Sequence, residues 1–317
     1  MSIKRALRYL LAGALILLLF LSVDLGTLVE AFSNINLEVL FYLILISVAL
    51  LYISAMKWGF FLERFGAPVS VAKLFNLYLI GYFVNLLMPS YVGGDVARSY
   101  YLGKEVGQHQ AFAATILERY TGLVAMVSMA FVFVWLTEDV TAPIKWSVVL
   151  VTLLLVISTV VVLSRTSLRL LSTIPGGKKL TPHFEKIREA LLLARSDRKL
   201  LLKTLLFSYL FHFMTVVNTF VCALAVGWEA PIFRLFVVVP LILMVSALPL
   251  APNSLGIQEG AFFYFLKLVG ATSAEALGVA LILRAKSYLL AVWGWGVWLR
   301  LERTSKLTSK ILPQSTL

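Results

Sequence analysis

Long apolar runs separated by short clusters of charge set the pattern of this chain. The runs are continuous rather than alternating, which predicts helices and not barrel strands. The first extends from about Ala6 to Val23 behind Lys4, Arg5 and Arg8. Asp24, Glu30 and Glu38 then mark a short outer loop before a second run from about Val39 to Met56. Lys57, Arg64 and Lys73 flank its far end, and another apolar stretch leads from Leu74 to Met88. Runs from about Phe112 to Leu136, Trp146 to Leu163 and Leu201 to Val226 are long enough to cross a bilayer. Ile232 to Leu248 follows, Ala261 to Val269 is too short to cross untilted, and Leu277 to Leu299 is the last.

Two of these runs are interrupted in corresponding ways. Pro89-Ser90-Tyr91-Val92-Gly93-Gly94-Asp95 breaks the first, and Pro252-Asn253-Ser254-Leu255-Gly256-Ile257-Gln258-Glu259 breaks the second. Non-helical backbone is tolerated at membrane depth only where protein buries it or a watery cavity receives it. Paired breaks of this kind point to the binding site of a transporter-like protein. Basic residues on both flanks of the first, Lys73 before and Arg98 and Lys104 after, predict a hairpin that enters and leaves on one face. A shift of 163 residues superimposes Pro89 on Pro252, Gly93 on Gly256 and Tyr101 on Tyr264, and nearly the same shift sets Glu118-Arg119 beside Arg284. These matches predict an inverted repeat with halves at about 38–164 and 200–300.

Composition fixes the class. Hydrophobic residues make up 60% of the 317 and charged residues 14%, far from the balance of a soluble domain. The formal charge of +12 lies in loops beside the spans, as the positive-inside rule expects, so no nucleic-acid partner is implied. Ten Lys/Arg against three Asp/Glu fall between Arg165 and Lys203. This asymmetry makes 165–200 a cytoplasmic loop, within which 182–195 reads as an amphipathic helix on the headgroups. With Arg300 and Arg303 closing the last run, both termini are expected in the cytoplasm of a multi-pass cell-membrane protein. The first run is longer than a signal-peptide core and lacks a small-x-small cleavage site, so it is read as an uncleaved span. A single cysteine, Cys222, excludes an internal disulfide, and the three histidines lack ligand spacing, so neither metal nor cofactor is expected.

Charges inside spans are costly, about 2.5–3.5 kcal/mol each on insertion scales, and mark function or pairing. Asp95, Arg98, Glu118, Arg119, Glu259, Lys267, Arg284 and Lys286 are the candidates, five basic and three acidic. Asp95 and Arg98 share a face of the helix that starts at Gly94, and Asp95 is placed to cap it. The freed N–H groups there favour an anion, and Arg98 adds a planar fork suited to phosphate. Two readings stay open at this stage. The charges either form internal pairs, Glu118 with Arg98 and Glu259 with Arg284, or line a cavity that accepts a headgroup.

The motif Asn85-Leu86-Leu87-Met88-Pro89-Ser90-Tyr91-Val92-Gly93-Gly94-Asp95-Val96-Ala97-Arg98, followed by Glu118-Arg119 and by Pro252 through Leu255-Gly256 to Glu259, resembles the lysylphosphatidylglycerol synthase/flippase transmembrane-domain family. The resemblance covers about residues 5 to 300. It implies one flippase-like domain over 1–317 that moves lipids with polar headgroups between leaflets. By matching motif it carries over Asp95, Arg98, Glu118, Arg119 and Glu259. Bifunctional members add a soluble aminoacyl-transferase domain after the membrane part; this sequence ends at Leu317, so lipid lysinylation is not expected.

Together these observations predict an all-α polytopic helical membrane protein with two re-entrant hairpins. The expected activity is translocation of a lipid with an anionic, phosphate-containing headgroup rather than an enzymatic reaction. The expected substrate-binding residues are Gly93, Gly94, Asp95, Arg98, Glu118, Arg119, Gly256, Glu259 and Arg284. Partners are membrane lipids, either an anionic phospholipid or an isoprenoid-phosphate-linked lipid, and a homo-oligomer is allowed. The alternatives are a membrane transferase acting on a lipid-phosphate, with Asp95 or Glu118 as base, and an ion-coupled carrier of a small anion.

Overall fold

The computed structural model describes residues 3–33, 37–88, 93–138, 140–166, 173, 177–248 and 250–311. Residues 89–92 of the first break, and much of the basic loop at 167–176, lie outside the described residues. Helices run in the order α1 (Ile3–Leu21), α2 (Leu25–Ser33), α3 (Leu37–Arg64), α4 (Val71–Leu87), α5 (Gly93–Val106), α6 (Gln108–Leu136) and α7 (Ala142–Leu163). They continue with α8 (Gly177–Ser196), α9 (Arg198–Ala225), α10 (Ile232–Ser246), α11 (Ile257–Leu268) and α12 (Ser273–Ile311). A 3-10 turn, Pro252–Ser254, separates α10 from α11, and no strand occurs among the described residues.

Among the described residues, five helices are long and apolar enough to cross a membrane: Glu38–Arg64, Gln108–Leu136, Ala142–Leu163, Arg198–Ala225 and Ser273–Glu302. α4 and α10, at 17 and 15 residues, reach only about 26 and 22 Å, short of a hydrocarbon core of roughly 30 Å. These are the two helices that lead into the breaks. α7 exposes Leu150, Leu153, Val156, Ile157 and Val160, an outward face suited to acyl chains.

Polar side chains start several helices where the apolar pattern alone gives no boundary. Asp24, expected in an outer loop, instead caps α2 by accepting from the Thr27 amide at 2.9 Å. Asp197 caps α9 from Leu200, at 3.0 Å. Thr272 and Glu275 bond each other's amides at the head of α12, a reciprocal capping box. The second span also runs on to Arg64, well past the Met56 end expected from hydropathy.

Two large buried cores result among the described residues, beside a small third of Leu19, Val23, Leu28 and Leu277. One gathers Trp58, Phe61, Leu62, Leu74, Leu79, Leu102 and Leu117 from α3 to α6. The other gathers Val216, Leu235, Ile242, Leu266 and Ala276 from α9 to α12. α12 binds them together, because Gly294 sits against α4 so tightly that a Cβ there would lie 1.9 Å from the Leu79 carbonyl oxygen.

Candidate functional site

The first break is built around a backbone contact. A Cβ on Gly94 would come within 2.3 Å of the Gly81 carbonyl oxygen, so only glycine lets α5 start against α4. The Gly94 amide donates to Asn85 Oδ1 at 2.6 Å. The acceptor that sequence reasoning assigned to Asp95 is thus supplied by Asn85, and Asp95 turns to other partners. Its oxygens accept from Arg98 Nε at 3.0 Å and from both Nε and Nη2 of Arg119 at 2.7 Å. Arg119 therefore holds Asp95 with the two-pronged geometry that guanidinium offers carboxylate or phosphate alike.

Arg98 reaches deeper. Its Nη2 donates to Glu118 Oε2 at 2.5 Å, and Lys57 Nζ lies 3.6 Å from the other oxygen of Glu118. The guanidinium packs in the corner of two rings that meet edge to face, 4.3 Å from the centre of Trp58 and 4.1 Å from that of Tyr78. Exposure falls steeply along this chain of charges. The Arg119 side chain is 53% exposed, Asp95 13%, Glu118 5% and Arg98 1%. Arg119 lies eleven residues into α6, about 16 Å along its axis. An exposed arginine at that depth requires an opening that water can enter or a path along which it snorkels.

Three bases and two acids make up this group, leaving one positive charge over if all are ionised. Its donors are also incompletely used. Arg98 Nη1 and Trp58 Nε1 are buried without a hydrogen-bond partner among the described residues, while the buried Tyr78 hydroxyl faces Glu118. Each such omission costs about 1–3 kcal/mol.

The second break is closed differently. Asn253 and Ser254 hold left-handed backbone, with φ of 48° and 51°, a strained state for residues other than glycine. Glu259 accepts from the Gly256 amide at 2.7 Å and pairs through its other oxygen with Arg284 Nε. Arg284 then donates to the carbonyls of Asn253 at 3.0 Å and Ser254 at 3.3 Å. Ser254 Oγ completes the network on the Ser246 carbonyl at 2.5 Å. One base meets one acid, and the turn's carbonyls are bound.

The breaks face each other across a small cleft. Tyr82, Asn85 and Leu86 line one side, and Asn253, Gln258, Arg284 and Ser287 the other. Its volume is about 20 Å³, enough for a water molecule and too little for a headgroup. Of the two readings the sequence left open, internal pairs or a cavity for a headgroup, this conformation shows the charges paired beside a narrow cleft.

All nine expected residues fall at one break or the other, and both expected pairs, Glu118 with Arg98 and Glu259 with Arg284, are formed. Sequence reasoning missed Lys57, read as a cytoplasmic flank but 3% exposed within α3. The apolar pattern resumes after it at Trp58, Phe60 and Phe61, which was the available signal. His212, buried against Gly122 and near Lys57, was missed as well. Lys267 does not belong, since it is exposed and lies 4.9 Å over Phe263. Lys286 turns to Asn218 Oδ1 at 2.9 Å instead of joining either group. Among the described residues no three His, Cys, Asp or Glu side chains are grouped as a metal ion would require.

The family model described as the lysylphosphatidylglycerol synthase TM region matches residues 5–294. A UPF0104 membrane protein of Methanocaldococcus jannaschii is 28% identical over 220 residues, spanning 66% of this chain and 90% of its own. Another, from Methanothermobacter thermautotrophicus, is 21% identical over 315 residues, or 89% of each chain. No solved structure matches. Together with its apolar helices, these relationships make the chain a multi-pass membrane protein that is surrounded by membrane lipid.

Proposed function

The chain belongs to the lysylphosphatidylglycerol synthase transmembrane-region family, and on that footing we propose that it carries a lipid with an anionic, phosphate-containing headgroup between leaflets. The observation that supports this most is the graded row of charges running inward from the half-exposed Arg119 to the buried Arg98, Glu118 and Lys57. Asp95 occupies the fork of Arg119 in this conformation. An arriving phosphate presents the same pair of oxygens and would take its place, with the unbalanced positive charge favouring the exchange. The hydrocarbon tail would remain in the bilayer. Because the cleft between the breaks is closed, headgroup passage requires α4–α5 and α10–α11 to part as re-entrant hairpins of two inverted halves. The reaction proposed is transport without bond making, in a cell membrane with both termini cytoplasmic.

The test uses the full chain reconstituted in vesicles with a fluorescent anionic phospholipid, whose outer-leaflet population is bleached by a membrane-impermeant reductant. Wild type should expose the inner pool, and Arg119→Ala should slow that exposure at least tenfold while leaving the unfolding temperature nearly unchanged. Arg98→Ala is a poor probe, because removing one partner of a buried pair destabilises the fold by itself. Equal bleaching kinetics in wild type, Arg119→Ala and protein-free vesicles would refute translocation.

A further inference from the structure

We propose that a groove between α6, α9 and α10 seats one hydrocarbon chain of the carried lipid; this rests on the anionic-headgroup reading above and adds where the tail lies. Val132 and Phe133 of α6, Phe213 of α9 and Phe236 of α10 line it, around a volume of about 270 Å³. Phe236 is its aromatic floor, stacked on Phe133 at 4.3 Å between ring centres and tilted against Phe213 at 5.6 Å. Val132 and Phe213 stand half-exposed on two of the membrane-spanning helices, so the groove opens toward lipid. Its two polar groups are already satisfied. Ser128 Oγ donates to the Val124 carbonyl at 2.7 Å, and the Tyr209 hydroxyl in turn bonds Ser128 Oγ at 2.7 Å. What the walls offer a ligand is therefore apolar burial and dispersion, which select hydrocarbon over a headgroup or a peptide backbone. A closed apolar cavity of about 150 Å³ holds a benzene ring, so this groove takes roughly ten carbons in file. Position ties it to the charges. Ser128 lies nine residues beyond Arg119 on α6, about 14 Å along the axis. The chains of one leaflet span about half of a core of roughly 30 Å, so a headgroup at Arg119 whose chain runs toward Leu136 brings that chain to the groove. On α9, Tyr209 and Phe213 flank His212, which packs against Gly122 beside Lys57, so groove and charge cluster lie one helical turn apart.

The test places the full chain in vesicles with a trace of phosphatidic acid that carries a photoactivatable diazirine near the end of one acyl chain, and maps adducts by peptide mass spectrometry. Adducts around Val132 and Phe213 should exceed those around Leu150 and Leu153, exposed on α7 and in contact with bulk lipid, by about fivefold or more. Val132→Trp sets a large ring over the groove and should return its labelling to the α7 level. Leu150→Trp, the same kind of change on α7, should leave groove labelling as in wild type. Both positions are exposed, so both variants should unfold near the wild-type temperature. Equal labelling of the groove and α7 in wild type, or wild-type groove labelling in Val132→Trp, would overturn the seat. Equal groove labelling by a diacylglycerol with the same chain would overturn it too, since the groove would then take any bilayer chain. Each of these results leaves translocation standing while the bleaching kinetics still depend on Arg119. Kinetics indifferent to Arg119→Ala would remove the headgroup reading, and this inference with it.

Discussion

The two breaks solve one problem, irregular backbone inside a bundle, in opposite ways. At the second, a single Arg–Glu pair turns inward and binds the loop's own amide and carbonyls, so its charge and its hydrogen bonds both close. At the first, the Gly94 amide is secured by an asparagine, and the charged groups pair with one another in a row that ends at the half-exposed Arg119. A network that satisfies itself is a fastening. A network with a surplus charge and unmet donors retains capacity for something else. The resemblance of the two sequences therefore conceals a difference in chemistry, in which the second break closes its own charge and the first keeps a surplus.

That contrast yields graded expectations. Arg284→Ala should be the most damaging, about 3–5 kcal/mol, because it strands Glu259 and frees two carbonyls in a strained turn. Loss of monodisperse protein, or a large drop in unfolding temperature, would be the sign; an unfolding temperature equal to wild type would mean the pair is no fastening. Gly94→Ala follows, at about 1–3 kcal/mol, since the added methyl meets the Gly81 carbonyl rather than a side chain able to yield. Thermal unfolding of the purified variant would measure it, and full wild-type stability would deny the backbone contact.

Asn85→Ala should cost about 1 kcal/mol, the usual loss of one helix cap, read from the same melts. A much larger loss would mean that the first break is fastened as firmly as the second. Smallest is Lys73→Ala, which removes the exposed Lys73–Glu105 link between α4 and α5 and should change stability by less than about 1 kcal/mol. A larger effect would show that the first hairpin depends on its surface pair.

Much of this was legible in the sequence because charge inside an apolar run is expensive enough to require a partner. Glu118 with Arg98 and Glu259 with Arg284, 20 and 25 residues apart, were one of the two readings that this expense allowed, the other being a headgroup cavity. Lys57 was overlooked for the complementary reason, despite the apolar residues that follow it at Trp58, Phe60 and Phe61. Close to Arg64 and Lys73 it resembles a flank, and only the length of α3 buries it. Trp58 and Tyr78 look like any core aromatics until a guanidinium is seen packed against both. Asn85 as the cap of α5 reaches across nine residues of chain, a connection that depends on how the hairpin folds and not on local pattern. The closing of the cleft could not be read either, since composition sets the chemistry of a wall and not its distance from the opposite one.

One feature of α12 has a mechanical consequence. Arg284 and Gly294 sit ten residues apart on the same straight helix, about 15 Å along its axis. The first grips the loop ahead of α11, and the second is wedged against the main chain of α4. A rod gripped at one point and wedged at another transmits twist as an axle does. Any turn of α12 about its axis would swing both interruptions in a single stroke, with no separate linkage needed between them.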